Sequence, residues 1–156
     1  MLLRKHASVK IHLKEVLRLK SILLASDGSP HVSKAAEHVV TLLKGGAEYR
    51  LMVVHVIDHE ASKHDAWLGM NPWARQRERE EKLKPVSNVF EEAGLAYSVN
   101  LTKGDPAEEI ILCAQKENVD MIVIGSRGLN TIQELMLGSV SHKVVQKADR
   151  PVLVVR

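Results

Sequence analysis

Two glycine-containing segments in the C-terminal part of the chain have residue types suited to binding phosphate. The first is Gly125-Ser-Arg-Gly128, and the second, Gly138-Ser-Val-Ser141, starts ten residues after Gly128. Glycines let the main chain turn tightly and approach a ligand, because they carry no Cβ. The second segment begins a helical pattern, and the free N–H groups and positive dipole of a helix start favour an anion. With Arg127, the spacing predicts two main-chain anion sites that close on one polyphosphate.

A carboxylate lies in a second loop of interest, near the start of the regular part of the chain. The apolar run Ser21–Ser26 ends in Asp27-Gly28-Ser29-Pro30, which is typical of a buried strand followed by a turn. We interpret Asp27 as a functional residue, with a turn cap as the alternative. Ser29 is predicted to cap the next helix, with Pro30 at its first position.

The elements that must position these loops alternate between strand and helix patterns. Such alternation predicts a doubly wound α/β domain of the Rossmann-like type, a five-stranded parallel sheet with helices on both faces. Pro85 lies inside the second helical pattern and is expected to kink it or break it in two. The predicted strands are Ser21–Ser26, Tyr49–Ile57, Leu95–Leu101, Met121–Ile124 and Pro151–Val155, and the helices lie over Val32–Leu43, Asn71–Ala93, Asp105–Ala114 and Val140–Ala148.

In an open parallel sheet, ligands bind beyond the carboxyl ends of the strands, where the strand order reverses. If the first and fourth strands flank that point, the loops Ala25–Gly28 and Gly125–Gly128 converge there. The sequence therefore predicts one phosphate-binding crevice between these two strands.

Composition excludes several classes of protein. The 156 residues fit one globular domain with 45% apolar and 26% charged residues, and no stretch approaches the ~18 apolar residues of a membrane span. A single cysteine, Cys113, forms no internal disulfide and fits a reducing cytoplasm. Five aromatics are too few for a base-stacking surface, and residues 1–20 hold six cations and one anion, so the rest of this +3 chain is mildly acidic. Nucleic-acid and integral-membrane partners are therefore not expected.

Two other groups of reactive side chains are assigned structural roles. Residues His55, Asp58, His59, Glu60, His64 and Asp65 lack the spacing of a closed zinc site, and a polar loop is the preferred interpretation. Cys113 follows an apolar helix face and is expected to be a buried, inert thiol. Residues 1–19 show no clean period; a partly ordered extension is preferred, and a surface-seeking amphipathic segment stays open.

The glycine–serine spacing resembles the nucleotide-binding signature of the universal stress protein family. Gly125-x-x-Gly128 is followed after nine residues by Gly138-Ser139, and the words LASDGS at residues 24–29, HVID at 55–58 and PVLVV at 151–155 are similar too. The resemblance covers residues 20–156, which we treat as the nucleotide-binding domain behind a 1–19 extension. It implies an ATP-binding member that is homodimeric through Pro151–Val155.

Carried over position by position, the resemblance implies roles for individual residues. Asp27 would hydrogen-bond the adenine or ribose end, beside Ala25 and Ser26. Val56 would line the adenine pocket, and Gly125 would lie under the ribose. The phosphates, with Mg²⁺, would be held by the remaining set: Arg127, Gly128, Gly138, Ser139, Val140 and Ser141.

The motifs of known ATP-cleaving enzymes are missing from the sequence. There is no G-x-x-x-x-G-K-[ST] loop to place a lysine on a γ-phosphate, and no G-x-S-x-G elbow. We therefore expect a site that holds nucleotide as part of a stress-response signalling module. The alternatives that stay open are a weak ATPase or a switch phosphorylated on Ser139 or Ser141, a sensor of AMP or a cyclic nucleotide, and a nucleotide-free scaffold.

Overall fold

The computed structural model describes residues 21–44, 48–57, 71–126 and 137–156. The N-terminal extension and the polar loop Asp58–Met70 lie outside these residues. In chain order the elements are β1 (Ser21–Ser26), α1 (Val32–Leu43), β2 (Arg50–Ile57), α2 (Pro72–Glu92), β3 (Ser98–Lys103), α3 (Pro106–Lys116), β4 (Met121–Gly125), α4 (Ser139–Lys147) and β5 (Val152–Val155).

The five strands form one parallel sheet in the order β3-β2-β1-β4-β5. The chain winds from β1 towards β3 and then returns to β4 and β5 on the other side. This doubly wound arrangement confirms the predicted fold class. No helix in the described parts of the chain is long and apolar enough to cross a membrane.

Two apolar cores lie on opposite faces of the sheet, because successive side chains of a strand point to opposite sides. Ile22 and Leu24 of β1 pack with α1 and α2, whereas Leu23 and Ala25 pack with α3 and α4. The face of α1 that carries apolar residues three and four positions apart lies in the core. Its buried members are Val32, Ala35, Ala36, Val39 and Leu43.

The helix starts agree with the sequence at two positions and differ at one. Asn71 caps α2 by accepting a bond from Ala74 N at 2.9 Å, and Asp105 caps α3. The prediction that Ser29 caps α1 is wrong. Residue 31 stands at the cap position without a side-chain bond, because residues 29–31 form a tight turn in which Ser29 O accepts from Val32 N at 3.2 Å.

Two further details of the elements differ from expectation. The helix α2 continues through Pro85, so of the two expected outcomes the break does not occur. The Glu81 carbonyl that loses its backbone donor lies on an exposed residue, where solvent can reach it. The third strand is β3, three residues later than predicted. Its apolar side chains Val99 and Leu101 are 41% and 43% exposed, because β3 is an edge strand.

Candidate functional site

The strand order reverses between β1 and β4, so the condition on which the predicted convergence of the two loops depends is met. The two strands are paired in parallel from Ile22↔Met121 to Ala25↔Ile124, so both carboxyl ends lie at the same edge. The connections leave in opposite directions, through α1 to β2 and through α4 to β5. A crevice at this point is the general ligand position of open α/β sheets.

At the end of β1, the main chain turns around a carboxylate with one free oxygen. Asp27 Oδ1 accepts from Ser29 N at 3.0 Å, and Ser26 Oγ accepts from Gly28 N at 3.3 Å. The second oxygen, Asp27 Oδ2, is buried and has no hydrogen-bond partner within the described residues. Because an ionised carboxylate only accepts, this atom requires a donor from outside those residues. The turn role of Asp27 is therefore observed for one oxygen, while its ligand-binding role stays a prediction that the second oxygen is placed to fulfil.

The start of α4 is tied to the end of β4. Ser126 O accepts from Gly138 N at 2.8 Å, and Ser126 N donates to Val155 O at 2.7 Å. The first bond brings Gly138 next to the end of β4, although thirteen positions separate Gly125 and Gly138 in the sequence, and the second ties that end to β5. The closure of the two glycine segments on one polyphosphate stays a prediction.

The first turn of α4 has main-chain donors without helical partners. Gly138 is the N-cap in extended conformation and makes no side-chain cap bond, and the first helical bond is His142 N to Gly138 O at 2.9 Å. The amides of Ser139, Val140 and Ser141 precede that bond, so the helix itself supplies no acceptor for them. An anion placed at this turn would meet N–H groups and the positive end of the dipole.

The two serines of α4 have different surroundings. Ser139 is exposed, whereas Ser141 is 3% exposed and its hydroxyl donates to Gly138 O at 3.0 Å or Ser126 O at 3.3 Å. The Ser141 hydroxyl therefore fixes the join between β4 and α4. Its own contact to a ligand would come from its backbone N–H.

Val56 lies where β2 extends beyond β1. The pairing of the two strands ends at Ser26↔His55, so the backbone of Val56 and Ile57 has no β1 partner on that side. The role of Val56 in lining an adenine pocket stays a prediction. Ala25 is 6% exposed and its side chain packs in the core, so only its backbone is placed to meet a ligand.

Several expected features fall outside the described residues. Arg127 and Gly128 are among them, as are Asp58, His59, Glu60, His64 and Asp65 of the polar loop. Across the described ranges, no group of three or more His, Cys, Asp or Glu could hold a metal ion. Cys113 is buried beside Asn100 Nδ2 at 3.3 Å, and desolvation raises the pKa of its thiol, as expected for an inert cysteine.

The sequence interpretation missed the roles of two residues near Asp27. His55, assigned only to the rejected metal cluster, is buried, and its Nδ1 lies 2.9 Å from Ser26 O. Gly28 has φ +77°, and a Cβ there would lie 2.9 Å from Lys82 Cβ of α2. The presence of a polar residue inside an apolar strand could have indicated a specific role for His55. Nothing in the sequence indicated that α2 packs against Gly28.

Comparison with known proteins gives consistent matches over most of the chain. A universal stress protein of Thermus aquaticus is 38% identical over 144 residues, which cover 88% of this chain and 98% of that protein. One from Bacillus subtilis is 35% identical over 145 residues, covering 86% and 97%. The solved structure of a universal stress protein from Methanocaldococcus jannaschii has a TM-score of 0.75 at 32% identity, covering 88% of this chain and 95% of that one.

More distant solved structures share the fold. A universal stress protein in complex with cAMP has a TM-score of 0.63 at 19% identity, covering 88% of this chain and 97% of its own. One from Archaeoglobus fulgidus in complex with dAMP has a TM-score of 0.64 at 17% identity, covering 90% and 99%. The model of the Universal stress protein family matches residues 18–156 of this chain. The chain therefore belongs to the universal stress protein family.

Proposed function

We propose that this protein binds ATP with Mg²⁺ at the carboxyl edge of β1 and β4, and acts as a dimeric stress-response module whose conformation or partner affinity depends on the nucleotide. The observation that carries the proposal is that hydrogen-bond donors and an acceptor, both without partners in the described residues, lie at the same edge of the sheet. Among the described residues, the N–H groups in the first turn of α4 have no acceptor and the buried Asp27 Oδ2 has no donor. A nucleotide has phosphates for the former and N–H or O–H donors on its base and ribose for the latter.

The roles of the site residues follow from this placement. Asp27 would accept from the base or ribose, between Val56 on the β2 side and Gly125 on the β4 side. The amides of Ser139, Val140 and Ser141 would hold phosphate, together with Gly138, Arg127 and Gly128. Because Mg²⁺ is commonly held through substrate phosphates and keeps several waters, it requires no acidic cluster; the exposed Ser139 hydroxyl is a further oxygen ligand within the first turn.

Two solved relatives of the fold carry cAMP and dAMP. Both ligands are adenine nucleotides, which supports the choice of base. A sensor of AMP or a cyclic nucleotide would use the same crevice, so the nucleotides must be ranked by competition. Calorimetric titration with ATP, ADP, AMP and cAMP, each with Mg²⁺, gives that ranking. We expect ATP to bind most tightly because a longer phosphate chain can accept more hydrogen bonds from the N–H groups at the start of α4.

The base side of the site is tested by Asp27→Asn. The remaining side-chain oxygen can still accept from Ser29 N, while the free acceptor becomes a donor. We expect ATP affinity to fall 10- to 100-fold, because a hydrogen bond to a charged group is worth about 1.5–3 kcal/mol. Unchanged affinity would remove Asp27 from the site.

The phosphate side is tested by Ser139→Pro. Proline suits the first position of a helix, and Gly138 before it already has ψ 158°, so α4 should form normally while one free N–H disappears. Ser139→Ala is the matched variant that keeps the amide and removes the hydroxyl. We expect the proline variant to bind ATP more weakly than the alanine variant, and equal affinities would contradict a main-chain phosphate site.

The proposed dimer forms through Pro151–Val155. β5 is the outer strand of the sheet, and Pro151 O and Val155 O accept from β4. Backbone groups alternate sides along a strand, so those of Val152 and Val154 point away from β4. Val154→Pro removes one outward donor, and sedimentation should show a shift from dimer to monomer. A dimer that persists would place the interface elsewhere.

The remaining parts of the proposal concern catalysis and organisation. The protein holds nucleotide without an assigned catalytic residue; a phosphate-release assay after long incubation with Mg²⁺ or Mn²⁺ separates this from a weak ATPase. Residues 20–156 form the nucleotide-binding domain, residues 1–19 form an extension, and the protein works in the reducing cytoplasm, where Cys113 stays a thiol.

A further inference from the structure

His55 is a buried polar residue within an otherwise apolar strand. It is 5% exposed and lies opposite Ser26 in the last register pair of β1 and β2. Its Nδ1 lies 2.9 Å from Ser26 O. The contact therefore joins the end of one strand to a side chain of its neighbour, at the edge where the nucleotide crevice lies.

The chemistry of this contact fixes the form of the imidazole. A carbonyl oxygen only accepts, so Nδ1 carries the hydrogen and donates it. Burial lowers the pKa of His55, and Lys82 and Arg79 of α2 lower it further, against the opposing influence of the Ser26 bond and of Asp27. At neutral pH the ring is consequently uncharged, in the single tautomer with hydrogen on Nδ1.

The bond acts on the residue that follows. The carbonyl of Ser26 and the nitrogen of Asp27 belong to one planar peptide unit, so holding the oxygen fixes the plane from which Asp27 departs. Asp27 Oδ1 is then held by Ser29 N at 3.0 Å. With the peptide plane and one oxygen both fixed, the direction of Oδ2 is set as well.

We propose that His55 is a positioning residue of the nucleotide site, which aims Asp27 Oδ2 through the Ser26–Asp27 peptide. The inference rests on the proposed nucleotide binding and adds to it a residue that touches no ligand. It also gives a physical reason for a histidine at a position where an aliphatic side chain would pack without the loss of solvation.

The test compares four variants with the full-length protein at pH 7.5, by titration with ATP and Mg²⁺ and by urea unfolding. His55→Leu removes the donor. His55→Asn places an amide nitrogen where Nδ1 stands, whereas His55→Gln carries the same amide one bond farther out. Val53→Ala is the control: it lies two residues earlier on the same face of β2, is fully buried, and destabilises the strand without touching Ser26.

We expect ATP affinity to fall about tenfold in His55→Leu and in His55→Gln, and to stay within twofold of the unsubstituted protein in His55→Asn and Val53→Ala. Equal affinity in all four variants would overturn the positioning role, and so would equal losses in His55→Asn and His55→Gln. That second comparison decides the matter even if His55→Leu fails to fold. If the unsubstituted protein itself binds no nucleotide, the proposed function fails instead, which is a separate result.

Discussion

Gly28 is the position at which a single added methyl group tests the packing of the site most directly. Its φ of +77° is a left-handed conformation, and a Cβ there would lie 2.9 Å from Lys82 Cβ and 3.0 Å from Lys82 Cγ. These atoms lie close to the main chain of α2, so they cannot swing away as the end of a flexible side chain would. Gly28→Ala must therefore move either the turn after β1 or the helix above it.

The magnitude has two parts. A left-handed backbone costs a residue with a Cβ about 1–2 kcal/mol, and overpacking a tight contact typically costs about 1–3 kcal/mol more. We expect Gly28→Ala to lower the free energy of unfolding by about 2–5 kcal/mol. The chain offers a matched control in Gly94, which has φ +66° and no atom within 4 Å of an added Cβ. Gly94→Ala carries the strain alone and should cost only about 1–2 kcal/mol.

The assay is urea unfolding of both variants and the unsubstituted protein, followed by circular dichroism. The difference between the variants isolates the contact with Lys82, provided that the slope with urea concentration is the same in each. A loss in Gly28→Ala no larger than the loss in Gly94→Ala would refute the packing of α2 on this turn. It would also contradict the position of α2 from which Lys82 and Arg79 lower the pKa of His55.

Three further outcomes are expected. Asp105→Ala removes the cap of α3 and should lower the free energy of unfolding by about 1 kcal/mol. The pKa of Asp105 is lowered chiefly by the bond from Glu108 N. The difference in unfolding free energy between this variant and the unsubstituted protein should therefore shrink below pH 3.8, as measured by unfolding curves at several pH values. The pKa of His55 is lower in the folded than in the unfolded protein, so its contribution to stability should fall as pH drops below 6.5, by at most about 1.4 kcal/mol per pH unit. In the same unfolding curves, His55→Asn should lack this pH-dependent loss of stability. The buried thiol of Cys113 should react with a thiol reagent at least about tenfold more slowly in the native protein than in urea.

The sequence predicted the parts of the fold that depend on local pattern and on burial. One apolar face of α1 lies in the core, and α2 and α3 begin directly after Asn71 and Asp105, where the predicted helices start. The parallel sheet followed from the alternation of elements, because a strand, a helix and a second strand in succession favour a parallel crossover. These features are fixed within a few residues of the chain, so a single sequence contains them.

The parts that sequence did not predict depend on neighbours distant in the chain. The exposure of Val99 and Leu101 follows from the edge position of β3, which alternation alone does not reveal. Ser29 does not cap α1, because residues 29–31 form a tight turn and the helix begins only at Val32, so the Ser29 hydroxyl makes no bond to the described residues. The helix α2 passes through Pro85 because Val86 and Phe90, both buried in the core beside it, hold the following turn in place.

The candidate site shows the same division. The glycines and serines of residues 125–141 are the basis for the predicted phosphate-binding part of the site, since a main-chain anion site needs small residues and a helix start. The bonds that assemble it, Gly138 N to Ser126 O and the Ser141 hydroxyl to two carbonyls, all end on main-chain acceptors, which the residue types in a sequence do not reveal. His55 was visible as a residue type, but its contact with Ser26 arises only when two strands 29 positions apart are in register.

A crevice whose described donors are main-chain amides behaves differently from one built on charged side chains. Salt screens exposed charges over about 10 Å at 0.1 M, whereas hydrogen bonds from fixed N–H groups depend mainly on geometry. ATP affinity should therefore respond more to changes that move or remove the main chain, such as Ser139→Pro, than to loss of the Ser139 hydroxyl. Main-chain bonds join Gly138 at the start of α4 to Ser126 at the end of β4, and Ser126 to Val155 of β5. We therefore expect a nucleotide bound at the first turn of α4 to influence the proposed dimer through this connection.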